Sequence, residues 1–153
     1  MRLLAKLMPL LLVAAAPASS SRYQQQLMDQ IERAVVLPKS AKPLNAYGRN
    51  YAFSGPHRVI AIYLLPSKPL DSSYGCEVML KDLSSRSCTR SERAELAASS
   101  ARAIAAETPA GRRRWFKSVG SLPMIADGGC TQVTVWYDVP THHVLAVACN
   151  GLG

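Results

Sequence analysis

The chain has 153 residues, of which 48% are hydrophobic and 18% are charged, and its formal net charge is +8 at pH 7. This length suits one domain with a sizeable buried core. The sequence has no long internal repeat and no low-complexity tract, which excludes repeat and compositionally biased architectures.

The first 18 residues have the layout of a secretory signal peptide. Arg2 and Lys6 precede an apolar run over residues 7–16, and Ala18 follows as a small residue at the expected cleavage point. A membrane anchor is the alternative, but the run is shorter than the ~20 residues that a spanning helix needs. We therefore expect a signal peptide over 1–18 and a single exported domain over 19–153, periplasmic or secreted, with no transmembrane segment after cleavage.

Four cysteines lie in the expected mature chain: Cys76, Cys88, Cys130 and Cys149. An even number in an exported protein indicates two disulfides. Of the three possible pairings, we favour Cys76 with Cys88 and Cys130 with Cys149, because both close short local loops. Zinc binding is the competing interpretation, but the chain lacks the closely spaced C-x-x-C pairs of most zinc sites, so we expect neither a metal nor a cofactor.

The amino-terminal half predicts a helix followed by two strands. Apolar residues recur at helical spacing within 21–37, and Pro38 ends the pattern. A short strand is expected over 47–53 and a strong one over 59–65. The second run is apolar on both faces, which places it in the middle of a sheet.

The next segment predicts a strand over 76–81 and a helix over 91–107. Thr89 and Glu92 have the spacing of a capping box, in which each side chain accepts a hydrogen bond from the other residue's backbone amide. The interior of this helix is mostly alanine and serine, so it is expected to bury little area.

The last part of the chain predicts a β-hairpin, with strands over 131–137 and 143–148. A turn centred on Val139 and Pro140 would set Cys130 opposite Cys149. In that register three apolar residues of each strand share one face: Val133, Val135 and Tyr137 with Val144, Ala146 and Ala148. Together the elements predict an α+β domain in which an antiparallel sheet of four or five strands carries one or two packed helices and two disulfides.

Three short elements of this last third, 127–130, 134–138 and 149–151, resemble those of small exported bacterial proteins of unknown function. The resemblance implies no activity.

Residues 86–117 carry a net charge of +5, and no Lys or Arg follows Lys117. The binding candidates in this segment are Arg112, Arg113, Arg114, Trp115 and Lys117. Guanidinium groups bind phosphate oxygens through paired N–H donors, and an aromatic ring can stack or enter a lipid interface. If this segment binds a partner, an anionic envelope polymer or lipid headgroup is the candidate, although the sequence does not identify the partner. The interpretation that we favour for the segment is a solvated flank in which Trp115 and Phe116 fold back into the core.

No sequence motif of a hydrolase or nucleotide-binding enzyme is present. His57, His143 and Glu77 are weak catalytic candidates, which together with the arginines could supply the acid, base and cation of a small secreted ribonuclease. An inhibitor of an extracytoplasmic enzyme is a further alternative, because small disulfide-bonded domains often present a binding loop. The favoured expectation is an exported, non-enzymatic binding or envelope-associated protein.

Overall fold

The computed structural model describes residues 18–69 and 75–151. Its helices and strands are, in chain order, α1 (Ala18–Ala34), β1 (Gly48–Phe53), β2 (Arg58–Leu64), β3 (Glu77–Met79), β4 (Ser85–Ser87), α2 (Arg90–Ala106), β5 (Arg113–Trp115), β6 (Gln132–Asp138) and β7 (His143–Cys149). The predicted α+β class is confirmed, and so are both disulfides, Cys76–Cys88 and Cys130–Cys149. Within the described ranges, no helix has the length and apolarity needed to cross a membrane. The predicted signal peptide lies outside the described residues, except for Ala18.

The main sheet has five strands in the order β5-β1-β2-β6-β7. The expected strand over 59–65 is β2, and it does lie at the centre. The prediction of a purely antiparallel sheet is wrong, because β5 pairs with β1 in parallel. The parallel pair arises because the chain leaves the sheet after β2 and returns to the far edge only after α2.

Helix α1 packs on one face of this sheet. Leu27, Met28 and Ile31 are each at most 1% exposed and contact a layer of buried tyrosines and valines. The tyrosines of that layer are Tyr47, Tyr51, Tyr63 and Tyr137. The helix was predicted to reach residue 37 but ends at Ala34. Two β-branched residues follow it, and the residue before Pro38 is biased away from helical geometry.

The opposite face of the sheet is covered only in part. Ala52, Ile62 and Leu122 form a small buried cluster there, and Phe116 packs against it. This cluster lies over β1 and β2, so the two layers of the core differ greatly in size.

The carboxy-terminal hairpin forms with a register different from the predicted one. Cys149 lies opposite Val133 rather than Cys130, and Leu145 is an extra residue that forms a β-bulge. The bulge puts Ala146 and Ala148 on the face away from Val133, whereas Val144 keeps its predicted face. The Cys130–Cys149 bridge still closes, because Cys130 lies in a 3₁₀ turn before β6 rather than in the ladder.

Residues 75–106, which we call the arm, lie apart from this core. The predicted strand over 76–81 forms as β3, but within the described residues it pairs with β4 in a separate two-stranded sheet and not with the main sheet. Helix α2 forms with the predicted capping box of Thr89 and Glu92, but none of its residues is buried. Of the two helices in the described part of the chain, α1 packs on the main sheet and α2 does not, because the alanines and serines of α2 offer too little apolar area.

Candidate functional site

The carboxy-terminal part of the basic segment 86–117 forms the edge strand β5 of the main sheet, Arg113–Trp115. The Arg49 amide donates to the Arg112 carbonyl at 3.0 Å, and the Phe116 amide donates to the Tyr51 carbonyl at 2.7 Å. The chain reaches this edge by passing directly over Gly48, where a Cβ atom would lie only 1.8 Å from the Thr108 carbonyl oxygen. A glycine at this position of β1 is therefore what allows the chain between α2 and β5 to approach so closely.

The two aromatic residues of the segment belong to the core. Trp115 stacks on Tyr51 with 6.2 Å between ring centroids and meets the Phe53 ring edge-on at 4.9 Å. Phe116 packs on the opposite face, against the small cluster of Ala52, Ile62 and Leu122. Trp115 thus contributes to the core, which leaves less of its ring surface for direct contact with a ligand.

Arg113 faces α1 and is part of a charged network with it. It forms ion pairs with Asp29 and, at 3.7 Å, with Glu32. Glu32 also pairs with Arg49 at 2.8 Å and accepts a hydrogen bond from the Tyr51 hydroxyl at 2.6 Å. The bond from Arg113 lowers the pKa of the Asp29 carboxyl, and burial raises the pKa of the Tyr51 phenol far above its usual range. Arg113 therefore anchors the edge strand to the helix.

The remaining cations of the segment stay available to a ligand. Arg112 and Lys117 are exposed, and within the described residues neither side chain forms an ion pair or a hydrogen bond. Arg114 donates one hydrogen bond to the Ala106 carbonyl at 3.1 Å and lies 5.3 Å from the centre of the Phe116 ring. A guanidinium has five N–H donors, so Arg114 keeps most of them free.

These arginines line a groove between the end of α2 and β5. Its volume is about 340 Å³, and Arg112, Arg113 and Arg114 line it with Thr108 and Pro109. Glu107 is the one acidic residue in the lining, and its carboxylate accepts two hydrogen bonds from Ser67. The groove therefore presents a cationic wall whose only carboxylate already has hydrogen-bond donors.

The three catalytic candidates do not converge on one site. His57 lies in the turn before β2, while His143 begins β7, and the two flank Asp138 across the sheet. Asp138 accepts hydrogen bonds from Thr141, which lower the pKa of its carboxyl. Glu77 lies in the separate β3–β4 hairpin, where it accepts a hydrogen bond from Ser85 at 2.9 Å. His57 and His143 thus share one end of the main sheet, whereas Glu77, the carboxylate that the sequence suggested as their partner, lies in the other sheet.

Sequence reasoning missed the acidic partners of the basic segment. Asp29 and Glu32 are three residues apart on α1, so they lie on one side of the helix and both reach Arg113. The three-residue spacing of Asp29 and Glu32 was the feature of the sequence that could have identified this acidic pair. What the sequence could not give was the pairing of these positions with a strand about 84 residues later in the chain.

A second polar cluster joins α1 to the carboxy-terminal hairpin. Gln30 accepts from the Tyr137 hydroxyl at 3.3 Å and lies 3.1 Å from Nδ1 of His142. His142 has a positive φ of 57°, a left-handed conformation that is uncommon for residues other than glycine but enriched for histidine. These contacts fix the hairpin turn against the helix, beside a shallow depression of about 350 Å³ that Arg33 also lines.

No protein-family model, curated protein or solved structure shows a significant match to this chain. Its function must therefore be inferred from its own residues and geometry.

Proposed function

We propose that this is an exported binding protein whose basic edge, residues 112–117, holds phosphate groups of an anionic envelope component. The observation that carries the proposal is the groove that Arg112 and Arg114 line beside an edge strand, with Arg113 anchoring that strand to α1. Export is supported by the two disulfides, which persist in oxidising compartments, and by the signal-peptide layout of the first 18 residues.

The arginines of the basic edge have different roles in the proposed binding. The charge of Arg113 is offset by Asp29 and Glu32, so this residue positions β5 rather than attracting a ligand. Arg112 and Arg114 supply the guanidinium donors, and Lys117 adds a further positive charge at the end of the segment. Paired guanidinium donors match phosphate oxygens better than a single ammonium does, which favours phosphate as the ligand chemistry.

Phosphate groups could come from a phospholipid headgroup or from a soluble polymer, and one experiment separates the two sources. Wild type is expected to sediment with vesicles that contain phosphatidylglycerol and not with neutral phosphatidylcholine vesicles. Soluble polyphosphate should release it, because both sources offer the same oxygens. Binding to polyphosphate without binding to either vesicle would assign the polymer as the source.

The decisive variant is Arg112→Gln with Lys117→Gln, which leaves the Arg113 anchor intact. Each cation near a membrane surface contributes about 1 kcal/mol, so losing two should weaken vesicle binding roughly tenfold or more at low salt. The matched control is Lys39→Gln with Lys42→Gln, which removes the same charge from the exposed segment after α1. If both double variants lose affinity equally, only net charge matters and the site is wrong. If wild type binds neither vesicles nor polyphosphate, the proposal fails.

A further inference from the structure

The two edges of the main sheet differ in length and chemistry. Edge β5 has three residues, two of them arginines. Edge β7 has seven residues, His143–Cys149, with no Lys, Arg, Asp, Glu or Pro among them. Short, charged edge strands resist pairing with another chain, whereas long uncharged ones invite it. By length and charge, and among the residues that the structure describes, β5 is a protected edge and β7 is open from Ala146 onward, beyond its bulge.

The backbone of β7 offers regularly spaced hydrogen-bonding groups on its free side. The Asn150 amide donates to the Gln132 carbonyl at 3.0 Å, and Thr134 and Trp136 lie opposite Ala148 and Ala146. The backbone groups of these alternate residues of β7 therefore point towards β6. It follows that the amides and carbonyls of Val147 and Cys149 point to the free side. The Leu145 bulge lies at the turn end, so the ladder from Ala146 onward is regular.

The side chains along this edge suit a partner that is neither charged nor bulky. Ala146 and Ala148 are exposed, and Leu145 keeps 52% of its surface exposed. Val147 packs against the core on the α1 face, which holds the middle of β7 against the rest of the sheet. An antiparallel strand centred on Val147 would meet only small or apolar residues.

The charge distribution indicates which partner can approach. No Lys or Arg follows Lys117, and the basic edge β5 lies four strands away from β7. Four strand spacings are about 19 Å, or roughly two Debye lengths at 0.1 M salt. Arg33 lies closer to β7, beside His142 at its turn end, but antiparallel pairing would put the two turn ends at opposite ends of the interface. Two copies can therefore bring their β7 edges together while their β5 edges remain far apart and screened.

We infer that β7 is a self-association edge, at which two copies pair antiparallel about a two-fold axis through Val147. Each copy presents the same strand, so the contact closes on itself as a dimer. The result is a continuous ten-stranded sheet with a basic edge at each end. This pairing does not depend on what the basic edge binds, but it would give the dimer two sites for one anionic surface.

The test is the mass of the purified, disulfide-intact protein by sedimentation equilibrium over a dilution series. We expect twice the monomer mass at high concentration. Leu145→Lys, or Ala148→Lys as a second exposed position, should raise the dimer dissociation constant more than about tenfold, because each change enters the interface twice. The control is Leu96→Lys on α2, since Leu96 is 49% exposed and matches Leu145.

Amide hydrogen exchange locates the interface. The Val147 and Cys149 amides should become more protected as concentration rises, while those of β5 stay unchanged. The proposal is overturned if the protein remains monomeric at its highest soluble concentration. It is also overturned if β7 pairs with an extended segment of a different protein and not with a second copy. A dimer that Leu145→Lys and Ala148→Lys both leave intact, with no added protection of these amides, overturns it as well.

Discussion

The sheet with α1 and the arm are held together by different forces. The sheet and α1 bury Leu27, Ile31 and four tyrosines almost completely. The arm buries only Cys88, and it relies on local devices: the Cys76–Cys88 bridge, the capping box of α2 and the Arg86–Glu92 ion pair. Burial makes a region cooperative, whereas local devices stabilise one turn at a time. The arm should therefore open without the sheet.

Matched leucines on the two helices test this difference most strongly. Leu27 of α1 is 1% exposed and Leu96 of α2 is 49% exposed. Leu27→Ala should lower the free energy of unfolding by about 2–5 kcal/mol, because it leaves a cavity in the core. Leu96→Ala should change it by less than about 0.5 kcal/mol. Urea denaturation followed by tyrosine and tryptophan fluorescence measures both, and equal shifts of the two midpoints would contradict the division.

The disulfides provide the second comparison. Each bridge closes a short loop and should contribute about 3 kcal/mol. Replacing Cys130 and Cys149 by alanine should lower global stability by that amount, because the bridge ties the start of β6 to β7. Replacing Cys76 and Cys88 should instead speed amide exchange within 75–106 and leave the global urea midpoint nearly unchanged. A large global shift from the second pair would show that the arm is part of the cooperative unit.

A substitution at Gly48 tests the contact between β1 and the chain that follows the arm. Gly48→Ala would place a Cβ atom 1.8 Å from the Thr108 carbonyl oxygen, and one of the two segments must move. Overpacking of this kind costs about 1–3 kcal/mol. Gly120→Ala is the matched control, because no heavy atom lies within 4 Å of its added Cβ. If thermal unfolding of the two variants is the same, β1 and the chain after α2 are not in contact.

The smallest expected effect is the acid response of α2. The Arg86 guanidinium and the Thr89 amide and hydroxyl lower the pKa of Glu92 from 4.5 to about 2. A carboxyl with a lowered pKa stabilises the folded form above its unfolded value, so this contribution is complete above pH 4.5 and is lost as the pH falls towards 2. Nuclear magnetic resonance should show the Thr89 amide of the folded protein shifting with a midpoint near pH 2. The shift should vanish in Glu92→Gln and persist in Glu95→Gln.

Local features of the sequence predicted the structure well, and non-local ones did not. The α2 cap was predictable because Thr89 and Glu92 are three residues apart. Strand β5 was missed because three residues give no strand periodicity, and its pairing with β1 depends on residues over 60 positions away. The Leu145 bulge was missed because one inserted residue reverses the face of every later side chain without changing the composition.

The same difference between local and non-local features applies to the candidate site. The sequence identified the cations of the basic edge, because a charge cluster is visible without any structure. It could not separate Arg113 from Arg112, since that difference comes from Asp29 and Glu32 on a distant helix. The grouping of His57, His143 and Glu77 likewise rested on residue type alone, and the topology puts Glu77 in a different sheet.

The Cys76–Cys88 bridge also determines what proteolysis does to the arm. Lys81 and Arg86 lie between the two cysteines, and both are exposed to a trypsin-like protease. A cut after either residue opens the hairpin but leaves the two fragments covalently joined through the bridge. The nicked protein would keep its mass apart from one added water, and it would separate into two chains only after reduction. This exposed loop can thus be cleaved without release of the chain on either side of it.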